Sequence, residues 1–276
     1  MAERVIDAGG GVALAVADEP GERIAVVLAH GLTAARRYVV MGSSRLRRAG
    51  HRVVAYDARG HGSSSPPDAS DAYGYDELNG DLARVLDTCG TDRVVLAGVS
   101  MGAHTCLRFA LEQPERVAGI VVITPGFDPV EFADPARLAR WDALSDALRD
   151  GGIEAFVDAF GVQRIPEQWR ETVGRALRQR MAVHEHLDAV AEALRRVPRS
   201  APFADLHALE EIECPAIVIG SRDEADPGHP LELARLYAEL LPAGRLVVED
   251  EGSSPLAWQG ARVSKLIQDV AARALA

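Results

Sequence analysis

The chain has 276 residues, 47% of them apolar and 26% charged, with a formal charge of −11 at pH 7. These are values of a globular chain with enough length for a large core, and they exclude an intrinsically disordered one. The acidic balance argues against nucleic acid or an anionic membrane surface as a partner, because both would be repelled.

In chain order, residues 11–17 and 23–29 are predicted strands, the second a near-continuous apolar run, and Gly9-Gly10-Gly11 sits at a predicted hairpin turn. A helix is expected over 36–49 and a strand over 51–56. Residues 76–89 are amphipathic, with Leu78, Leu82, Val85 and Leu86 on one stripe. Strands are then expected at 93–97 and 117–123, with a helix over 103–112 between them that stops before Pro114. From 128 to 205 strand signals disappear and four helical segments follow, 135–149, 152–160, 166–181 and 184–197. Alternation resumes with a strand at 215–220, a helix at 230–241, a strand at 245–248 and a helix near 261–275. The pattern predicts an α/β fold, a doubly wound and mostly parallel sheet. Its core spans 1–127 and 206–276, and a helical unit is inserted at 128–205.

Cys89, Cys106 and Cys214 are odd in number, dispersed and without a C-x-x-C, which suits buried thiols in a reducing compartment. The N-terminal residues show neither a basic segment nor an apolar one, and no apolar run approaches the ~18 residues of a membrane span. The expectation is a soluble cytoplasmic protein.

Gly98-Val99-Ser100-Met101-Gly102 lies between the strand at 93–97 and the helix that follows. A G-x-S-x-G run in that context is a nucleophile elbow, a tight turn that exposes the serine hydroxyl. Ser100 is therefore the candidate nucleophile. A serine hydroxyl needs a base and oxyanion donors. The Met101 amide at the helix start is one donor, and the Leu32 amide in the His30-Gly31-Leu32 loop is the other. There is no metal-binding spacing, no G-x-G-x-x-G and no Walker pattern, so neither metal nor cofactor is expected.

His30-Gly31 after a strand, Asp57-Ala58-Arg59-Gly60-His61-Gly62-Ser63-Ser64, and the elbow occur in an order and spacing that resemble the α/β-hydrolase fold superfamily. The D-x-R-G-x-G-x-S segment is similar to the capped branch of lactonases, esterases, carbon–carbon bond hydrolases and haloperoxidase-like enzymes. The resemblance implies that 128–205 forms the cap and that Asp57, Arg59 and His61 build a loop beside the cleft. It places the catalytic acid in a G-x-x-D pattern after the next-to-last strand, which Asp223 matches best; Asp226 and Asp128 are the alternatives. The family histidine follows the final strand, and there this sequence departs. Ser253 occupies the position, and no histidine exists beyond 229.

Three accounts of the base stay open. His229, six residues after Asp223, substitutes for the missing residue, since a triad is defined by geometry and not by chain position. Alternatively His30, His104, His184 or His186 serves, or the site has no base. The leading reading is a serine hydrolase of a small ester, thioester, lactone or related carbonyl compound, using Ser100, Asp223 and His229. The competing reading is a catalytically silent small-molecule binder on the same scaffold. Capped hydrolases occur as monomers and homodimers, and both stay open here.

Overall fold

The computed structural model describes residues 2–222, 226, 228–251, 253 and 258–275. Strands β1 (Ala2–Gly9), β2 (Val12–Glu19), β3 (Arg23–Ala29), β4 (His51–Tyr56), β5 (Val94–Val99), β6 (Val117–Ile123), β7 (Ala216–Gly220) and β8 (Leu246–Val248) form one sheet in the order β1-β2-β4-β3-β5-β6-β7-β8. β1 and β2 form an antiparallel hairpin and β2 runs antiparallel to β4. Every other neighbouring pair is parallel. β6 is buried along its whole length, as a central parallel strand covered on both faces must be.

Helices α1 (Arg45–Arg48) and α8 (Gly260–Arg273) cover one face, where Leu46, Ile267 and Val270 meet Val26, Val95 and Val121. The other face is covered by α2 (Tyr75–Cys89), α3 (Met101–Glu112) and α7 (Leu231–Leu240). There Leu82, Leu86, Phe109 and Tyr237 pack on Val27, Leu96 and Ile120. Between β6 and β7 run α4 (Pro135–Phe160), α5 (Glu167–Met181) and α6 (Leu187–Arg196). They share a separate core of Leu144, Leu148, Phe156, Leu177, Met181 and Leu194, and Leu32 and Met101 belong to that same cluster. The helices after β6 thus sit directly on the two segments that carry the candidate oxyanion donors.

Two local expectations are corrected. Residues 2–9 form a strand that the sequence pattern did not reveal, because an edge strand exposes much of its length and lacks an apolar run. The helix expected over 36–49 is broken into a single turn at Arg36–Tyr38 and the short α1. Met41 and Gly42 adopt φ of 45° and 73° between them, which ends any right-handed helix. By contrast the segments 135–149 and 152–160 join into α4, kinked at Gly152 with φ of 68°.

The elbow explains its own glycines. Ser100 has φ 47° and ψ −110°, outside the ordinary regions for an L-residue. A Cβ on Gly98 would lie 2.2 Å from the Gly102 carbonyl oxygen, and one on Gly102 would lie 2.3 Å from that of Ala29. Only hydrogen fits at both positions, so β5, α3 and the end of β3 close around the serine. Gly31 differs, since a Cβ there would meet nothing nearer than 3.4 Å. Gly102→Ala is expected to destabilise the fold by about 3 kcal/mol or more, and Gly31→Ala by less than about 1 kcal/mol, as urea unfolding midpoints would report.

Candidate active site

Ser100 opens onto a cavity of about 1120 Å³ between the sheet and α4–α6. Across it, His229 comes from the loop after β7, just ahead of α7. Its Nε2 stands 2.7 Å from Ser100 Oγ, and its Nδ1 stands 2.8 Å from Asp226 Oδ2. The Asp226–His229 spacing of three residues is a turn, closed by the His229 amide donating to the Asp226 carbonyl at 3.2 Å. Carboxylate and imidazole therefore leave one short loop on the same side. Gly126, in the loop after β6, makes room for the ring: a Cβ there would lie 3.0 Å from His229 Cδ2.

Burial pushes the Asp226 carboxyl up, but His229, the Arg180 guanidinium and the Gly228 amide together hold it below the usual carboxylate range. Asp226 is thus the carboxylate that orients His229. Asp223, the residue matched by the G-x-x-D pattern, lies outside the described residues. Ser253, at the position where the sequence lacks a histidine, is exposed and is absent from the cavity wall; its amide donates to the Asp250 carbonyl at 3.2 Å. Asp128 lines the cavity but spends Oδ1 on the Val130 amide at 2.8 Å.

Leu32 and Met101 both line the cavity. Among the described residues no peptide bond is cis, so each amide N–H points opposite to the preceding carbonyl. The Gly31 carbonyl accepts from His30 Nδ1 at 2.8 Å and from the Ala34 amide at 2.9 Å, which turns the Leu32 N–H away from that side. The Ser100 carbonyl accepts from the His104 amide at 3.0 Å inside α3, leaving the Met101 N–H facing out of the helix start.

The remaining histidines near the site are framework. His30 Nε2 accepts from the Ala58 amide at 2.9 Å, so its one proton is on Nδ1. His61 stands between the Arg59 and Leu32 carbonyls at 2.9 and 2.8 Å, and the neutral ring donates to one of them. His184 accepts from the Gly62 amide at 2.8 Å. The three rings follow one another in tilted and edge-on contact, with centroids 5.2 and 5.5 Å apart, behind the Leu32 loop. His104 Nε2 accepts from the Gly126 and Phe127 amides, both at 3.2 Å, so its Nδ1–H donates to Tyr75 Oη at 3.0 Å. His30, His61 and His104 have both ring nitrogens engaged, and His184 is absent from the cavity wall, so none of the four serves Ser100. Asp57 and Arg59 serve the same loop: Asp57 pairs with Arg36 and accepts from the Ser63 amide, and Arg59 makes a two-pronged pair with Asp81 at 2.8 and 2.7 Å.

Sequence reasoning missed two polar residues here. Glu249, buried after β8, accepts from Ser221 Oγ and the Arg222 amide and so holds the loop leading to Asp226. Arg180 of α5 lines the cavity; a lone arginine in an arginine-rich amphipathic helix carries no signal in sequence. Of the aromatic residues in 128–205, Phe132, Trp141 and Phe160 line the cavity while Phe156 is fully buried in the core of α4–α6. Among the described residues no group of three or more His, Cys, Asp or Glu is placed to hold a metal ion. No helix among them is long and apolar enough to cross a membrane.

Burial drives His30, His104 and His184 down to about 3, the neighbouring histidines adding to it. Each therefore takes up a proton on unfolding once the pH falls below about 6.5. The sign follows: their stabilising contribution is complete above pH 6.5 and is lost as pH falls toward 3. Urea unfolding at pH 7.5, 6.0 and 5.0 should show stability declining below pH 6.5, approaching about 1.4 kcal/mol per pH unit for each of the three rings.

Comparison with known proteins agrees with this fold. A family described as alpha/beta hydrolase fold matches residues 24–258. The putative carbamate hydrolase RutD of Variovorax paradoxus is 31% identical over 211 residues, 75% of this chain and 76% of the relative. Among solved structures, a thermophilic esterase from Thermogutta terrifontis superposes with a TM-score of 0.78 at 21% identity, covering 99% of both chains. The enol-lactonase from Burkholderia xenovorans LB400 gives 0.73 at 22% identity, covering 96% of this chain and 98% of its own. At those identities the two structures establish the fold alone.

Proposed function

The chain belongs to the alpha/beta hydrolase fold family, and on that premise we propose that it is a serine hydrolase of small carbonyl compounds: esters, thioesters, lactones or carbamates. The observation that carries the reading is the unbroken line from Ser100 Oγ through His229 to Asp226, with both contacts at hydrogen-bond length. The relative from Variovorax paradoxus is named as a putative carbamate hydrolase, which fits attack on a carbonyl carbon.

In the proposed reaction, Ser100 Oγ attacks the substrate carbonyl while His229 Nε2 takes its proton. Asp226 holds His229 Nδ1–H and offsets the imidazolium charge that develops. The amides of Leu32 and Met101 stabilise the oxyanion, and they are held in place before the substrate arrives. His229 then returns the proton to the leaving oxygen, sulfur or nitrogen. Water, activated by the same ring, releases the acyl group from Ser100. The helices between β6 and β7 act as the cap, whose Trp141 and Phe160 wall the acyl or alcohol side of the cavity. The silent-binder reading draws no support from this geometry, because its premise was the lack of a base near Ser100.

Hydrolysis of p-nitrophenyl butyrate by purified variants tests the assignment. Ser100→Ala and His229→Ala should each lower kcat by about four to six orders of magnitude, and Asp226→Asn by up to about four. Asp223→Asn and Ser253→His should stay within about a few-fold of the unaltered chain. Full activity in His229→Ala, or a large gain in Ser253→His, would refute the displaced base.

A further inference from the structure

Arg180 carries a charge that has no direct ion-pair partner among the described residues. It stands one residue from the end of α5 and faces the cavity. Its Nε is shut off from solvent and has no hydrogen-bond acceptor. Among the described residues no carboxylate lies within ion-pair distance of its guanidinium. Burial lowers its affinity for the proton, with Asp226 acting at longer range in the opposite sense. Arg180 is half-buried, and a cation drawn partly out of water without a direct partner costs free energy that a folded chain ordinarily recovers with a carboxylate.

The other arginines of the cavity are accounted for. Arg137 Nη1 donates to the Phe132 and Pro198 carbonyls, both at 3.1 Å. Arg37 lies over the Tyr38 ring and, like Arg140, is exposed at the mouth. Arg180 is also held in position, because Tyr38 Oη donates to the carbonyl of the adjacent Gln179 at 2.8 Å and ties the end of α5 to the turn after β3. Asp226 acts on it only through space, because its Oδ2 is given to His229 and the carboxylate makes no hydrogen bond or ion pair with the guanidinium.

We propose that Arg180 binds a carboxylate carried by the substrate, so that the site prefers acidic esters or lactones over neutral ones of the same size. A guanidinium presents a planar fork that matches a carboxylate, and a cavity wall excludes the water that would weaken the pair. The contact would anchor the acid group on the cap side and leave the carbonyl to Ser100. In a chain of net charge −11, such a local cation is what admits an anion at all.

The inference rests on the hydrolase reading, and the experiment keeps the two apart. The kcat/KM values of p-nitrophenyl hemisuccinate and p-nitrophenyl butyrate are compared in the unaltered chain, Arg180→Gln and Arg180→Lys. The ratio of acidic to neutral ester should fall about 10- to 100-fold in Arg180→Gln, chiefly through KM, and recover in part in Arg180→Lys. An equal loss on both esters, residing in kcat, would overturn the inference and make Arg180 a support for Asp226 only. Calorimetric binding of glutarate to Ser100→Ala supplies the second readout. Binding that weakens at least tenfold when Arg180→Gln is added upholds the carboxylate site even if no ester is turned over, a result that would sink only the hydrolase reading. Glutarate binding unaffected by Arg180→Gln would overturn the carboxylate site.

Discussion

The close approach of three backbones around Ser100 is the constraint on which the site depends. β5, α3 and the end of β3 meet where Gly98 and Gly102 leave no room for a Cβ, and the serine between them is held at a φ that L-residues avoid. Met41 and Thr124 are the other non-glycine residues with positive φ among those described, and both also line the cavity. Backbone strain in this protein is therefore gathered along the wall of one cavity. The surrounding sheet can hold it because β3, β5 and β6 are paired on both sides and almost wholly buried.

Around that fixed serine, histidine does two opposed kinds of work. His30, His61, His104 and His184 are buried, neutral and engaged through their ring nitrogens with the backbone of the loops they support. His30 and His104 act as rigid double-ended struts, one nitrogen donating and the other accepting, which is why burial without charge suits them. His229 alone stands between a hydroxyl and a carboxylate, where gaining and losing a proton changes the chemistry offered to a substrate. The same residue type is a structural member or a reactive one according to what faces its two nitrogens.

The proposed base and acid share one loop, and this separates them from the strand end where the sequence resemblance places the histidine. A three-residue turn from Asp226 to His229 delivers both groups to the serine, with Gly126 opposite leaving space for the ring. Glu249, buried at the end of β8, clamps the start of that loop through Ser221 and Arg222. The end of β8 thus contributes to the site by position and not by reactivity.

The sequence by itself determined the parallel sheet, the elbow at Ser100 and the interruption between β6 and β7. Apolar runs, glycine spacing and helical periodicity are local properties, each readable within about ten to fifteen residues. It also named His229 among its candidates and Asp226 behind Asp223, but it could not choose among them. That choice rests on which loop reaches Ser100 across more than a hundred residues of chain. It could not exclude His30 and His104 either, because a histidine's availability depends on which groups occupy its nitrogens. The edge strand at Ala2–Gly9 and the broken helix after Arg36 escaped detection because pairing with β2 and the turn at Met41-Gly42 decide them, not local propensity. Arg180 is the extreme case: nothing in its neighbours along the chain distinguishes it from Arg178, which pairs with Glu154 at the surface. Only the packing of α5 over the cavity takes one of the two partly out of water and leaves it without a direct ion-pair partner among the described residues.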